Sequence, residues 1–368
     1  MKLRRLTGLL LSLVLLFCTG CSQSAAPRSA PSPTAEEQAL SSPPEASAKA
    51  PSDQQAEEKT VSAEKNAPAP AQEVSFTLCA YLPVSSMTQG AAAVAEEYAG
   101  SIAALDYLVL NTGAYWDENG ALSLSDELLD AIETLQGKTA LWCTVNPQGA
   151  LIREGTAGQS IDSPQERQAL AQEIAAFAEQ YGLAGIDIDW EFPLDDEWED
   201  FSTFLIALKD TLSRNSEPVA LSLALYPEEI ALSEEAIAAL DRIHVMAYDQ
   251  FDSEGFHSTM QAAEDAVAYF TALGASPQQL VLGIPAYGRP LDGSAQWVFY
   301  KDIDPESISG ENPDLVGDIS FNSAATAAQK TQYALEQNLG GVMVYQLLCD
   351  RNDQDALILA CANMAENA

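Results

Sequence analysis

From about residue 74 to the C-terminus the chain alternates between two hydrophobic patterns. Short, near-continuously apolar runs fall at Ser75–Tyr81, Asp106–Asn111, Thr139–Val145, Gly185–Trp190, Val219–Leu225, Arg242–Tyr248, Leu280–Ala286 and Gly341–Gln346. Parallel strands buried on both faces read this way. Amphipathic stretches with a helical period lie between them. Ser163-Pro164-Gln165-Glu166 is a capping box with Pro at the first helical position. Leu170, Ile174, Phe177 and Tyr181 then mark one face, and Gly182 ends the helix. Trp198, Phe201, Leu205, Leu208 and Leu212 form the stripe of the next helix, and Asn322 to Gln337 reads as another, stopped by Gly340-Gly341. Strand–helix alternation repeated eight times predicts an α/β fold, a closed (β/α)8 TIM barrel. The alternative is an open doubly wound sheet. A glycine-rich phosphate loop after the first strand would favour it, and none is present.

The first residues follow other rules. Met1-Lys2-Leu3-Arg4-Arg5 precedes an apolar run from Leu6 to Phe17, the plan of a secretory signal. The run is shorter than the roughly 20 apolar residues a membrane span needs. It ends in Cys18-Thr19-Gly20-Cys21, which resembles a bacterial lipobox with Cys18 where Leu is usual. The resemblance implies a signal peptide over 1–20 and lipidation of Cys21. An ordinary cleaved signal is the alternative. Residues 21–72 are rich in Ala, Pro, Ser, Glu and Gln and poor in large apolar side chains. Such a segment buries too little surface to offset its ordering entropy, so it is expected to be a disordered tether. Residues 73–368 form the expected folded domain. The expected location is therefore outside the cell membrane, held to it by lipid, or secreted if Cys21 is not acylated.

The net charge of −37, with 17 Lys and Arg in the whole chain, excludes a nucleic-acid partner. Acidity suits an extracellular surface and neutral substrates, and a monomer is expected. His244 and His257 are the only histidines and lack ligand-like spacing, so no metal and no cofactor are expected. Cys79, Cys143, Cys349 and Cys361 have no CxxC pairing. Buried free thiols are expected, with Cys349–Cys361 as the conceivable disulfide.

The fourth strand reads Gly185-Ile186-Asp187-Ile188-Asp189-Trp190-Glu191-Phe192-Pro193. Side chains alternate across a strand, so Asp187, Asp189 and Glu191 share one face. The apolar set must meet the helices, which turns three acids toward the barrel axis. Neighbouring buried carboxyls repel and hold protons above their ordinary pKa. A raised pKa on the outermost one makes a general acid usable near neutral pH. Spacing alone also allows a Ca²⁺ or Mg²⁺ site, a structural hydrogen-bond cluster, or an exposed edge.

This segment resembles the DGxDxDxE signature of family 18 glycoside hydrolases, and Phe192-Pro193 is typical of the chitinases among them. Met246-Ala247-Tyr248-Asp249 is similar to the family's MxYD. Leu282-Gly283-Ile284-Pro285-Ala286-Tyr287-Gly288-Arg289 is similar to LGIPxYGR, and Gly340-Gly341-Val342-Met343-Val344 to GGVM(I/V)W with Tyr345 in place of Trp. The resemblance spans about Phe76 to Asp350. It implies substrate-assisted retaining cleavage of β-linked N-acetylglucosamine chains, an exception to the two-carboxylate scheme. Glu191 is then the acid and base, and Asp189 orients and balances the substrate's acetamido group. Asp187 shares a proton with Asp189, and Tyr248 holds the acetamido oxygen. Tyr345, Asp249, Met246, Arg289, Tyr287 and Tyr81 are the implied substrate-binding residues. Trp142 and Trp297 are further candidate sugar platforms, whereas Trp198 falls on a helical stripe and is expected in the core.

There are departures from the family pattern. Ala184 stands where an acid often opens the signature. Leu141-Trp142-Cys143-Thr144-Val145-Asn146 replaces the third strand's Ser-x-Gly-Gly. The connection between the last two strands looks too short for a full α+β insertion, which predicts an open, shallow cleft. Competing readings are an endo-β-N-acetylglucosaminidase on N-glycans, a peptidoglycan hydrolase, a lectin-like barrel, and a solute receptor. The intact Glu191 and the acid triad argue against the last two.

Overall fold

Eight parallel strands close on themselves in the computed structural model, which describes residues 75–191, 193–309 and 312–368. They are β1 Thr77–Pro83, β2 Tyr107–Trp116, β3 Ala140–Pro147, β4 Gly185–Ile188, β5 Ala220–Leu225, β6 Arg242–Val245, β7 Leu280–Pro285 and β8 Gly341–Tyr345. Each pairs in parallel with its sequence neighbours, and β1 pairs with both β2 and β8, which closes the barrel. Closure leaves no free edge along the ring. Leu122–Leu124 adds a short antiparallel strand to the outer part of β2. Val74–Ala368 is one compact unit. The expected signal, Cys21 and the whole of the tether lie outside the described residues.

Local sequence accounts for the surrounding helices. Pro164–Tyr181 begins with the Ser163 hydroxyl accepting the Glu166 amide N–H while the Glu166 carboxylate accepts the Ser163 N–H. It stops at Gly182, which takes the left-handed conformation at φ 62°. Leu170, Ile174 and Phe177 are buried on its inner face. Trp198–Leu212 buries Trp198, Phe201, Phe204, Leu205, Leu208 and Leu212. Each such side chain contributes about 1.5–3 kcal/mol on burial. Ala324–Glu336 starts from a Ser323 cap.

Two packed regions result. The larger lies between the strands and the helices and is built from Leu, Ile, Val, Ala and Phe with a few tryptophans. The smaller fills the barrel interior and contains Cys79, Tyr81, Tyr107, Val109, Trp142, Met246, Tyr248, Val281 and Met343. Room inside is tight. A Cβ on Gly185 would meet the Trp142 ring at 2.1 Å, and one on Gly283 would meet the Val245 carbonyl oxygen at 2.4 Å and the Tyr248 ring at 2.9 Å. Glycine at these two positions admits the large rings beside them.

The segment between β7 and β8 folds into a small antiparallel sheet of Tyr287–Pro290, Val298–Phe299, Leu315–Val316 and Ile319–Ser320, followed by the helix Ala324–Glu336. Cys79, Cys143, Cys349 and Cys361 are free and buried, so Cys349 and Cys361 form no disulfide.

Candidate active site

β4 is shorter than its apolar pattern predicts. Its ladder ends at Ile188, because the next amide, Asp189 N–H, donates to the Asn146 side-chain oxygen at 2.7 Å instead of to a neighbouring strand. The acids still climb one face. Asp187 is fully buried, Asp189 half-buried and Glu191 exposed. The column therefore runs from the barrel interior to the C-terminal mouth, where barrel sites are built.

Asp187 sits among donors. Its Oδ1 accepts the Ser222 hydroxyl at 2.5 Å, and its Oδ2 accepts the Tyr81 phenol at 2.8 Å and the Thr144 hydroxyl at 3.3 Å. Strand register explains this, since Thr144, Asp187 and Ser222 are direct partners across β3, β4 and β5. His244 Nδ1 lies 2.6 Å from the Tyr81 oxygen and 3.2 Å from Asp187. Tyr81 has one proton and gives it to Asp187, so the Nδ1–H of His244 donates to the Tyr81 oxygen. Tyr107 hydrogen-bonds the other ring nitrogen at 2.9 Å.

Asp189 is pushed well above the ordinary carboxyl pKa by burial first, then by the charges of Glu191 and Asp187. Glu191 is raised too, by desolvation and then by Asp249. Its side chain meets solvent at the outer end of the column.

Tyr248 is buried beside this column. Burial raises its pKa, and the charges of Tyr345, Asp189, Glu191 and Asp249 all add to the rise, so these groups share one space. Tyr345 stacks on Tyr248 with centroids 5.4 Å apart and lies 5.8 Å from Tyr81. Asp249 accepts the Tyr287 phenol at 2.7 Å and pairs with Arg289. Its amide donates to His257 Nε2 at 3.0 Å. Burial pushes the Asp249 carboxyl up, but His257, Tyr287 and Arg289 outweigh it and hold the carboxyl below its ordinary pKa. Met246 packs inside the barrel with Tyr81 and Tyr248.

The fold thus gathers Glu191, Asp189, Asp187, Tyr248, Tyr345, Asp249, Met246, Arg289, Tyr287 and Tyr81 at one end of the barrel. Trp297 stacks on Tyr287 at 3.8 Å and is half-buried, so it stays a candidate platform. Trp142 does not. It is 7% exposed and stacks on Tyr107 at 4.3 Å inside the barrel, too deep to meet a sugar. Trp198 is buried in the outer layer, as its helical stripe predicts. Thr144, Asn146, Ser222 and His244 are site residues that the motif reading missed. Period-two alternation on β3, β5 and β6 marks them as inward-facing, but only register shows what they touch.

An eight-stranded α/β barrel carrying an acid column to its C-terminal mouth is the class of structure defined here. The chain belongs to the glycosyl hydrolases family 18, whose sequence pattern matches residues 57–350. It is 27% identical over 181 residues to "Probable chitinase 2" of Drosophila melanogaster, a match covering 44% of this chain and 37% of that protein. The chain thus spans little more than a third of that relative's length. Among solved structures it resembles a chitinase from Flavobacterium johnsoniae at TM-score 0.67 and 22% identity, over 79% of this chain and 94% of the other. It also resembles a Cycas revoluta chitinase mutant in complex with (GlcNAc)4, at TM-score 0.61 and 20% identity, over 78% and 99% of the two chains.

Proposed function

We propose that this protein hydrolyses chains of β-1,4-linked N-acetylglucosamine with retention of configuration. The observation that carries the reading is the acid column. One buried carboxylate is ringed by hydroxyl donors, a second has its pKa pushed up by burial and by its acidic neighbours, and a third opens to solvent beside Tyr248. Glu191 protonates the glycosidic oxygen, for which a raised pKa suits it. The substrate's 2-acetamido oxygen then attacks the anomeric carbon as the C1–O glycosidic bond breaks and the protonated leaving group departs as an alcohol, giving an oxazolinium ion. Asp189 accepts the acetamido N–H and balances the positive charge, sharing its proton with Asp187. Tyr248 donates to the acetamido oxygen and holds it in line, so positioning replaces a protein nucleophile. Glu191 finally takes a proton from the incoming water as that water bonds to the anomeric carbon and the acetamido oxygen leaves it, restoring the acetamido group. Tyr345 and Trp297, both half-buried, offer aromatic surface to sugar rings. The named chitinases among its relatives support this substrate class.

Comparing wild type with Glu191→Gln on defined chitooligosaccharides tests the reading. The variant is expected to bind and to lose about 10²–10⁴-fold in rate. The first product is expected as the β-anomer; an α-product rejects the assisted mechanism. We also propose that Cys21 is acylated and tethers the enzyme outside the membrane. Radiolabelled palmitate should enter the wild type and not Cys21→Ser.

A further inference from the structure

Lys330 is a fully buried amine away from the acid column. It lies on the helix Ala324–Glu336, and its Nζ donates to the Ser258 carbonyl at 2.7 Å, the Ser258 hydroxyl at 3.1 Å and the Asn322 side-chain oxygen at 2.8 Å. Three acceptors match the three N–H bonds of an ammonium. Burial pulls its pKa down to about 7, against the opposing charges of Asp314 and Cys361. Putting an ammonium here is costly, and an apolar side chain would fill the space without that cost. What it holds therefore matters.

Two of the three bonds end on Ser258, in the segment that follows β6, and the third holds Asn322. Asn322 also donates from Nδ2 to the Ser258 carbonyl at 3.0 Å. The Ser258 hydroxyl donates to the Ala247 carbonyl at 2.6 Å, and the Ser258 N–H to the Gln250 carbonyl at 2.9 Å. The segment Ala247–Ser258 is thus drawn into a closed loop, with Lys330 at its neck. Asp249 near its start and Ser258 at its end are held in the left-handed region, at φ 59° and φ 49°. Non-glycine residues stay there only when their surroundings impose it. Tyr248 and Asp249 lie at the start of this loop.

We propose that Lys330 is a positioning residue for the reaction proposed above, fastening the Ala247–Ser258 loop so that Tyr248 and Asp249 face the barrel mouth. It touches no substrate and acts through Ser258. A brace that only stabilises the fold would lower the melting temperature and leave turnover per folded molecule unchanged. A positioning brace also lowers kcat, because Tyr248 acts on the acetamido oxygen during attack.

The test uses the full chain and Lys330→Met, with chitotetraose as substrate and amide hydrogen exchange read peptide by peptide. Expected are at least tenfold faster exchange in peptides spanning 247–258, unchanged exchange in the helix Pro164–Tyr181, and kcat at least tenfold lower with KM within twofold. Wild-type loop exchange or wild-type kcat in folded Lys330→Met overturns the proposal. Should that variant not fold, Ser258→Ala and Asn322→Ala each remove one acceptor. A two- to fivefold fall in kcat with faster loop exchange supports the brace, and wild-type values in both sink it. The exchange comparison needs no turnover. A wild type that cleaves no chitooligosaccharide therefore defeats the functional reading, while loop exchange still decides whether Lys330 holds the segment.

Discussion

The barrel has two packed regions that touch the same strands from opposite sides, and they differ in kind. Outside the strands, the layer against the helices is aliphatic with a few large rings, and Phe201, Phe204, Leu205 and Leu208 are wholly buried in it. Inside the strands, tyrosines, Trp142 and two methionines surround buried Asp187, His244, Ser222 and Thr144. The outer layer needs only volume and shape, so many sequences fill it. The interior is a connected polar network in which every donor needs its acceptor, because an unpaired buried group is costly. The outer layer sustains the barrel, and the inner one carries a chemical state.

Substitutions on the two sides should therefore separate stability from turnover. The largest effect is expected outside. Phe204→Ala removes a fully buried ring and should cost about 3–5 kcal/mol in denaturant unfolding, with kcat per folded molecule unchanged. A large drop in kcat for the folded variant would erase the distinction. Inside, Tyr81→Phe keeps the ring but removes the hydroxyl shared by Asp187 and His244. Its stability cost should be smaller, about 1–3 kcal/mol. Initial rates should nevertheless fall about tenfold, the equivalent of one charge-assisted hydrogen bond. Smaller again is Asn146→Ala, which frees the Asp189 amide. About 1 kcal/mol of stability and a few-fold loss of kcat are expected, since water can replace the lost acceptor at this half-buried position.

The same contrast explains what could be read from the chain alone. Continuous apolar runs and helix caps report the outer layer, which depends on local period. All eight strands and the helix Pro164–Tyr181 were legible for that reason. The acids of β4 were legible because three carboxyls on one strand face are unusual in themselves. Their partners were not. Thr144 and Ser222 are ordinary residues until register sets them beside Asp187. Asn146 gains its role only because β4 leaves its ladder after Ile188. Trp142 looked like a sugar platform because tryptophan on a strand suggests one, whereas Gly185 on the next strand lets it lie flat within the barrel. The small sheet after β7 has strands of two to four residues, too short for any period to appear.

The most delicate effect lies where the interior meets solvent, and it is a shift in pH rather than a loss. Glu191 must hold a proton to act as the acid, so activity should fall as pH rises through its pKa. That pKa is raised by desolvation and then by the negative charge of Asp249. Asp249→Asn removes the charge and leaves the amide bond to His257 Nε2 in place. With less repulsion Glu191 gives up its proton sooner, and the alkaline limb of kcat/KM should move to lower pH. The height of the profile will also drop if Asp249 binds the sugar, so the position of the limb is the quantity to read. A limb that stays in place or moves to higher pH would show that Asp249 does not act on Glu191, and the mouth would then be electrostatically separate from the column beneath it.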